Sequence, residues 1–170
     1  MSGQDRVPVI IDVEASGFGR GSYPIEIGVA LNDHTTHCYL IKPEPEWTHW
    51  DKKAESLHGI SKELLEDKGR SVGEVAECLN EILVGQLVYS DAWGFDSSWI
   101  GKLYDAAELI QGFRVETLRK ILTESQLDTW DATKESVREE LALQRHRASS
   151  DALLIQTIFE RTSAFSSGAS

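Results

Sequence analysis

Val9-Ile10-Ile11-Asp12-Val13-Glu14 is a short β-branched run that ends in two carboxylates. A continuous apolar run of this length fits a central strand covered on both faces. Asp12 and Glu14 are two residues apart, so a strand points both side chains to the same side. A buried, unpartnered carboxylate is costly, and two on one face also repel each other. A cation between them would relieve both penalties. A strand that ended before Asp12 would instead leave both groups in water, and the rest of the chain must decide.

Beyond this strand, three glycines in Gly17-Phe18-Gly19-Arg20-Gly21 mark a loop. Ile25, Ile27, Val29 and Leu31 alternate with Glu26, Gly28 and Ala30, the period of a second strand. Asn32-Asp33 turns the chain into a third strand over residues 36 to 41, stopped by Pro43 and Pro45. Residues 43 to 70 show no regular pattern. Ser71 and Glu74 have capping-box spacing, and Val72, Val75, Ala76, Leu79, Ile82 and Leu83 form the apolar face of a helix. Leu87-Val88-Tyr89 reads as a fourth strand and Phe113-Arg114-Val115 as a fifth. Between them a helix opens at Phe95-Asp96 and carries Trp99, Ile100, Leu103 and Ala107. A short helix through Leu118, Ile121 and Leu122 follows, then a charged helix over residues 133 to 143. Residues 152 to 159 are apolar nearly all round, the mark of a buried helix. This order predicts an α/β layer fold with a mixed five-stranded sheet, an antiparallel β1-β2-β3 meander and helices on both faces.

At 170 residues the chain suits one domain, expected over residues 1 to 163, with residues 164 to 170 a disordered tail. The formal net charge of −11 argues against a protein that grips long nucleic acid through a basic stripe. It does not argue against phosphate chemistry, because carboxylates loaded with divalent cations attract phosphate. The apolar runs are too short to span a bilayer, and residues 1 to 6 lack an apolar signal core, so a cytoplasmic protein with no membrane partner is expected. Cys38 and Cys78 have no metal-ligand spacing and are expected to be reduced, buried thiols.

The later acids bear on the opening pair. Trp99, Ile100 and Leu103 follow Asp96 at i+3, i+4 and i+7, and Ile155, Ile158 and Phe159 follow Asp151 at i+4, i+7 and i+8. Each acid therefore lies at the N-terminal end of an inward helical stripe. Either one alone reads as a helix cap. Together with Asp12 and Glu14 they make four inward acids with no run of buried Lys or Arg nearby. Hard divalent cations prefer oxygen ligands, so Mg²⁺ or Mn²⁺ is the natural counter-charge. Zinc fits poorly without a Cys or His cluster. His146 lies five residues before Asp151, in a loop that Ser149 or Ser150 would cap into the helix. An imidazole there has the chemistry of a general base near neutrality.

With these residues in hand, the sequence resembles the DnaQ-like exonucleases, the His-containing branch of the DEDD family on the ribonuclease-H-like fold. The first family motif matches Asp12-Val13-Glu14-Ala15-Ser16-Gly17, with Ala15 where Thr is usual. The second matches Asp91-Ala92-Trp93-Gly94-Phe95-Asp96, with Asp91 near a usual Asn. The third, His-x-x-x-x-Asp, matches His146 through Asp151. Ile25-Glu26-Ile27-Gly28, Leu57-His58-Gly59-Ile60 and Val115-Glu116-Thr117-Leu118 resemble secondary marks of the family. The resemblance spans about residues 7 to 160.

It implies a three-layer ribonuclease-H-like fold and a 3′–5′ exonuclease. Asp12, Glu14, Asp96 and Asp151 would hold two divalent cations, Mg²⁺ or Mn²⁺, roughly 3.5–4 Å apart. His146 would take the proton of the attacking water, and nucleoside 5′-monophosphates would leave one at a time. The implied partner is the 3′ end of single-stranded DNA or RNA, or a short oligonucleotide. Ser16 and Gly17 of the first motif would line the substrate. Phe18, His58, Ile60 and Trp93 would stack or wedge against the terminal base. Trp47, Trp50, Trp99 and Trp130 read better as core, Glu26 as a structural side chain, and His34, His37 and His49 as solvated. The resemblance allows a homodimer, although no stripe identifies an interface. The main rival is a catalytically silent module on the same fold that binds a partner protein, which should lack one of the catalytic positions. An endonuclease on this fold ranks lower, because it would not need His-x-x-x-x-Asp.

Overall fold

The computed structural model describes residues 6–142 and 146–167. Strands β1 (Ile10–Ala15), β2 (Pro24–Ala30) and β3 (Thr36–Leu40) come first, followed by helices α1 (Lys52–His58), α2 (Lys62–Lys68) and α3 (Val72–Leu83). Then come β4 (Leu87–Ser90), α4 (Trp93–Ala107), β5 (Arg114–Thr117), a 3₁₀ turn (Leu118–Lys120), α5 (Glu124–Leu141) and α6 (Ala148–Ser167). The sheet order is β3-β2-β1-β4-β5. β1, β2 and β3 pair antiparallel, whereas β4 runs parallel to both β1 and β5. The mixed α/β sheet and its opening meander are those expected from the sequence.

The period-two rule sorts β1 into two faces. Val9, Ile11, Val13 and Ala15 join Ile27 and Val29 under α3 and α4, packing with Val75, Leu79, Ile100 and Leu103. Ile10 and Ala30 face the other way and pack against Ala152, Ile155 and Phe159 of α6. Asp12 and Glu14 share that second face. In register, Asp12 lies opposite Gly28 and Glu14 opposite Glu26. α5 covers α6 from outside through Val137, Leu154 and Ile158.

Several elements depart from the sequence reading, each for a local reason. Residues 43 to 70 hold α1 and α2, each of only seven residues. They are set by side-chain caps at Asp51 and Ser61 rather than by a long apolar stripe. Ser71 does cap α3 by accepting from the Glu74 N–H. The true capping box is Thr123–Gln126, and it starts α5 nine residues before the expected Thr133. Past Leu118 the expected short helix is only a 3₁₀ turn. α6 continues to Ser167, so residues 164–167, expected in a disordered tail, are helical; residues 168–170 lie outside the described residues. Cys38 and Cys78 are free thiols, but Cys38 is exposed and Cys78 half-buried rather than both being buried. No helix among the described residues is long and apolar enough to cross a membrane.

Gly28 explains how closely α6 approaches the sheet. A Cβ built there would fall on the carbonyl carbon of Ala148 and the amide nitrogen of Ser149, both backbone atoms that cannot rotate aside. Gly28→Ala should therefore push the start of α6 off β2. We expect a loss of about 1–3 kcal/mol in urea unfolding; unchanged stability would show that the helix start does not rest on this residue.

Candidate active site

Four elements bring acids to one end of the sheet. β1 delivers Asp12 and Glu14, the turn after β4 delivers Asp91, and the first turns of α4 and α6 deliver Asp96 and Asp151. One oxygen each from Asp12, Glu14 and Asp151 lie within 4.8 Å of one another. One oxygen each from Asp12, Asp91 and Asp96 do the same. Asp12 belongs to both sets. Its Oδ2 is buried and finds no hydrogen-bond partner among the described residues.

Asp96 is 2% exposed and accepts a 2.6 Å hydrogen bond at Oδ2 from the Ser90 hydroxyl. Ser90 in turn accepts from the Ala92 N–H at 3.0 Å, so the end of β4 fixes both the start of α4 and its acid.

Crowding and burial show in the proton affinities. Burial and the fields of Asp96, Glu14, Asp151 and Asp91 raise Asp12 well above the ordinary carboxylate range. Burial and Asp151 push Glu14 up to about 9, and burial pushes Asp96 up to about 7 against the opposing Ser90 hydrogen bond. Asp151, half-buried, is raised too, chiefly by burial of its carboxyl group, and Asp91, although its residue stays exposed, is raised by the crowding around its carboxyl and by the field of Asp151. An all-carboxylate donor set with an orphaned buried oxygen fits hard divalent cations.

His146 precedes α6 and adopts φ 58°, a left-handed conformation uncommon outside glycine, though His adopts it more readily than most side chains. It is half-buried and close enough to Asp151 to hold that carboxyl down in part. The expected cap from Ser149 or Ser150 is absent, because both lie inside α6. The helix begins at Ala148, and the Asp151 N–H already donates to the Arg147 carbonyl at 2.9 Å. Glu26 is structural, as read from its alternation, and wholly buried. Its partner, Arg147, lies 121 residues away and escapes any local pattern. Removing one member of such a buried pair costs about 3–5 kcal/mol, because the other is left uncompensated.

The expected substrate contacts divide. Phe18 is 66% exposed and Trp93 46% exposed, with Trp93 Nε1 donating to the Val115 carbonyl at 3.1 Å. Phe18 meets Phe95 edge-on at 5.1 Å, and both rest on Trp99 at 5.9 and 5.8 Å. Phe95, read in the sequence only as part of the motif before Asp96, is itself exposed. Ile60, expected as a wedge, is completely buried with Tyr23, Ile25 and Leu65. Ser16 is also fully buried; its Oγ lies 2.8 Å from His49 Nδ1 and accepts from the Tyr23 N–H. His49 is thus engaged rather than solvated. Gly17 has φ 149°, and a Cβ there would run into Asp51 and His49, so it holds the loop close to this wall. His58 is buried and accepts from the Ile60 N–H at Nδ1, and burial lowers its pKa.

No family model matches the sequence, and no curated protein sequence matches it significantly. Solved structures do match in fold. E. coli Exonuclease I in complex with a dA16 oligonucleotide aligns over 93% of this chain and 40% of its own, with a TM-score of 0.64 and 11% identity. The zinc-ion-bound form of the E. coli enzyme with single-stranded DNA gives the same figures. A moderately thermophilic Exonuclease I from Methylocaldum szegediense aligns over 92% of this chain and 42% of its own, with a TM-score of 0.64 and 13% identity. The chain spans about two-fifths of the length of these neighbours. At such identity the likeness is one of fold, and this fold is the ribonuclease-H-like α/β arrangement of Exonuclease I.

The raised acids carry a pH signature. Glu14 and Asp96 titrate near 9 and 7 when folded, against 4.5 and 3.8 unperturbed, so the folded protein keeps protons that the unfolded chain has released. Stability then falls as pH rises toward the folded values. The lowered pKa of His58 works only below about pH 6.5, and the lowered values of Asp33, Glu116 and Glu140 only in the acid range. In chelator, unfolding free energy should drop by about 1–2 kcal/mol between pH 7 and 8.5. A flat or rising profile in urea titrations would mean that the acids are not crowded as described.

Proposed function

We propose that this chain is a divalent-cation-dependent 3′–5′ exonuclease. Its substrate is the 3′ end of single-stranded DNA or RNA, or a short oligonucleotide. The observation that carries this reading is Asp12: one buried carboxylate, with an orphaned oxygen, shared by two sets of acids. Asp12, Glu14 and Asp151 make one oxygen donor set, and Asp12 with Asp96 and the neighbouring Asp91 make the other. When bound, two Mg²⁺ or Mn²⁺ ions supply Lewis-acid stabilisation of the charge that builds on the phosphodiester oxygens. The fold shared with Exonuclease I bound to oligonucleotides supports a nucleic-acid substrate.

The chain's own groups do the rest. His146 takes the proton of the water that attacks phosphorus, and the 3′ oxygen of the penultimate nucleotide leaves. Each turnover releases a nucleoside 5′-monophosphate. Phe18, Phe95 and Trp93 offer exposed ring faces and edges against which terminal bases stack. An acidic surface cannot follow a long strand by counter-ion release, so recognition concentrates on the last nucleotides. Residues 1 to 163 act as a single domain in this reading.

A 5′-labelled single-stranded oligonucleotide should shorten one nucleotide at a time with Mg²⁺ or Mn²⁺, and not in chelator. Persistence of full-length DNA and RNA with both metals would sink the proposal. His146→Ala should lower turnover by about 10²–10⁴-fold while metal binding persists; full activity in that variant would remove His146 from the chemistry.

A further inference from the structure

We propose that Arg147 is a positioning residue whose fork onto Glu26 sets where His146 stands over the carboxylates. The inference rests on the functional reading above. It begins with register. Directly opposed residues of an antiparallel pair present their side chains on the same face. The two β2 residues beside Asp12 and Glu14 on that face are therefore Gly28 and Glu26. Both hold the start of α6.

Arg147 donates from Nε to both Glu26 oxygens at 3.0 Å and from Nη2 to Oε2 at 2.6 Å. The Ala148 N–H donates to Glu26 Oε1 at 2.8 Å. The backbone of Ala148 and Ser149 occupies the space that a side chain at position 28 would fill. Residues 147 and 148 are thus tied to the same two rungs of the sheet that carry the acids. A guanidinium fork fixes direction as well as distance, which a point charge cannot do.

The body of α6 has other anchors. Ala152, Ile155 and Phe159 pack on Ile10 and Ala30, and Gln156 donates to the carbonyls of Pro8 and Leu31. The fork adds its constraint one residue from His146. His146 has a left-handed backbone, and such a conformation persists only where the surroundings over-determine it. The fork and the Gly28 seat supply that determination from one side.

The test is a double-mutant cycle with His146, read on the 5′-labelled oligonucleotide. Arg147→Ala would leave Glu26 buried without a partner and endanger folding. Arg147→Lys keeps the charge and loses the fork, so it carries the measurement. We expect R147K to lower kcat about 10- to 100-fold, as misplaced catalytic groups do. KM should move less than about twofold, the mark of an interaction felt in the transition state. In the H146A background, R147K should change kcat by less than about twofold, because the group it positions is gone. An equal fall in both backgrounds, or no fall in either, overturns the proposal. Backbone hydrogen exchange over residues 146–150 provides an independent arm, expected to quicken in R147K. If the wild-type chain cuts no substrate, the functional reading fails, and exchange alone judges the clamp: unchanged rates there overturn it.

Discussion

The structure turns on a carboxyl group with nowhere to put its charge. Asp12 sits inside the central strand β1, half-buried, and its buried Oδ2 has no hydrogen-bond partner among the described residues. Four more acids face it, and their fields add to the burial that raises its proton affinity. In a metal-free chain, Lys134 beside Asp91 and His146 and Arg138 beside Asp151 offset only part of this charge, so the cluster holds protons instead. Divalent cations would replace those protons with a more concentrated charge that oxygen ligands favour.

The surrounding fold is arranged to bring those acids together. The central strand supplies two of them, and the ends of β4 and the starts of α4 and α6 supply the rest. β2 acts as the reference for α6: residues opposite Asp12 and Glu14 seat and clamp the helix start. Ser90 performs the matching task on the other side by binding both Asp96 and the backbone at the α4 entrance. The first turn of α4 that carries Asp96 also carries the exposed Trp93 and Phe95, and Phe18 packs against Phe95.

Much of this was legible in the sequence, because it follows from short-range periodicity. The β-branched run at residues 9–13 and the alternation through β2 identify the paired strands and the face shared by Asp12 and Glu14. Helical spacing placed Asp96 and Asp151 inward. What escaped was set by distance or by single caps. Glu26 and Arg147 are 121 residues apart, so only the fold reveals that the buried acid has a cation. Helices of seven residues have too little stripe to detect, and Asp51 and Ser61 are ordinary loop residues until seen as caps. Ile60 and Ser16 lie in segments that resemble substrate-binding motifs, yet packing turned both fully inward. Side-chain direction in irregular segments is decided by tertiary contacts that no local pattern encodes.

Equilibrium Mn²⁺ binding to the wild-type chain, Asp96→Asn and Asp12→Asn tests the shared role of Asp12 most directly. The account predicts two ions per wild-type chain, one in Asp96→Asn, held by Asp12, Glu14 and Asp151, and none at comparable concentration in Asp12→Asn. Two ions still bound to Asp12→Asn would contradict it.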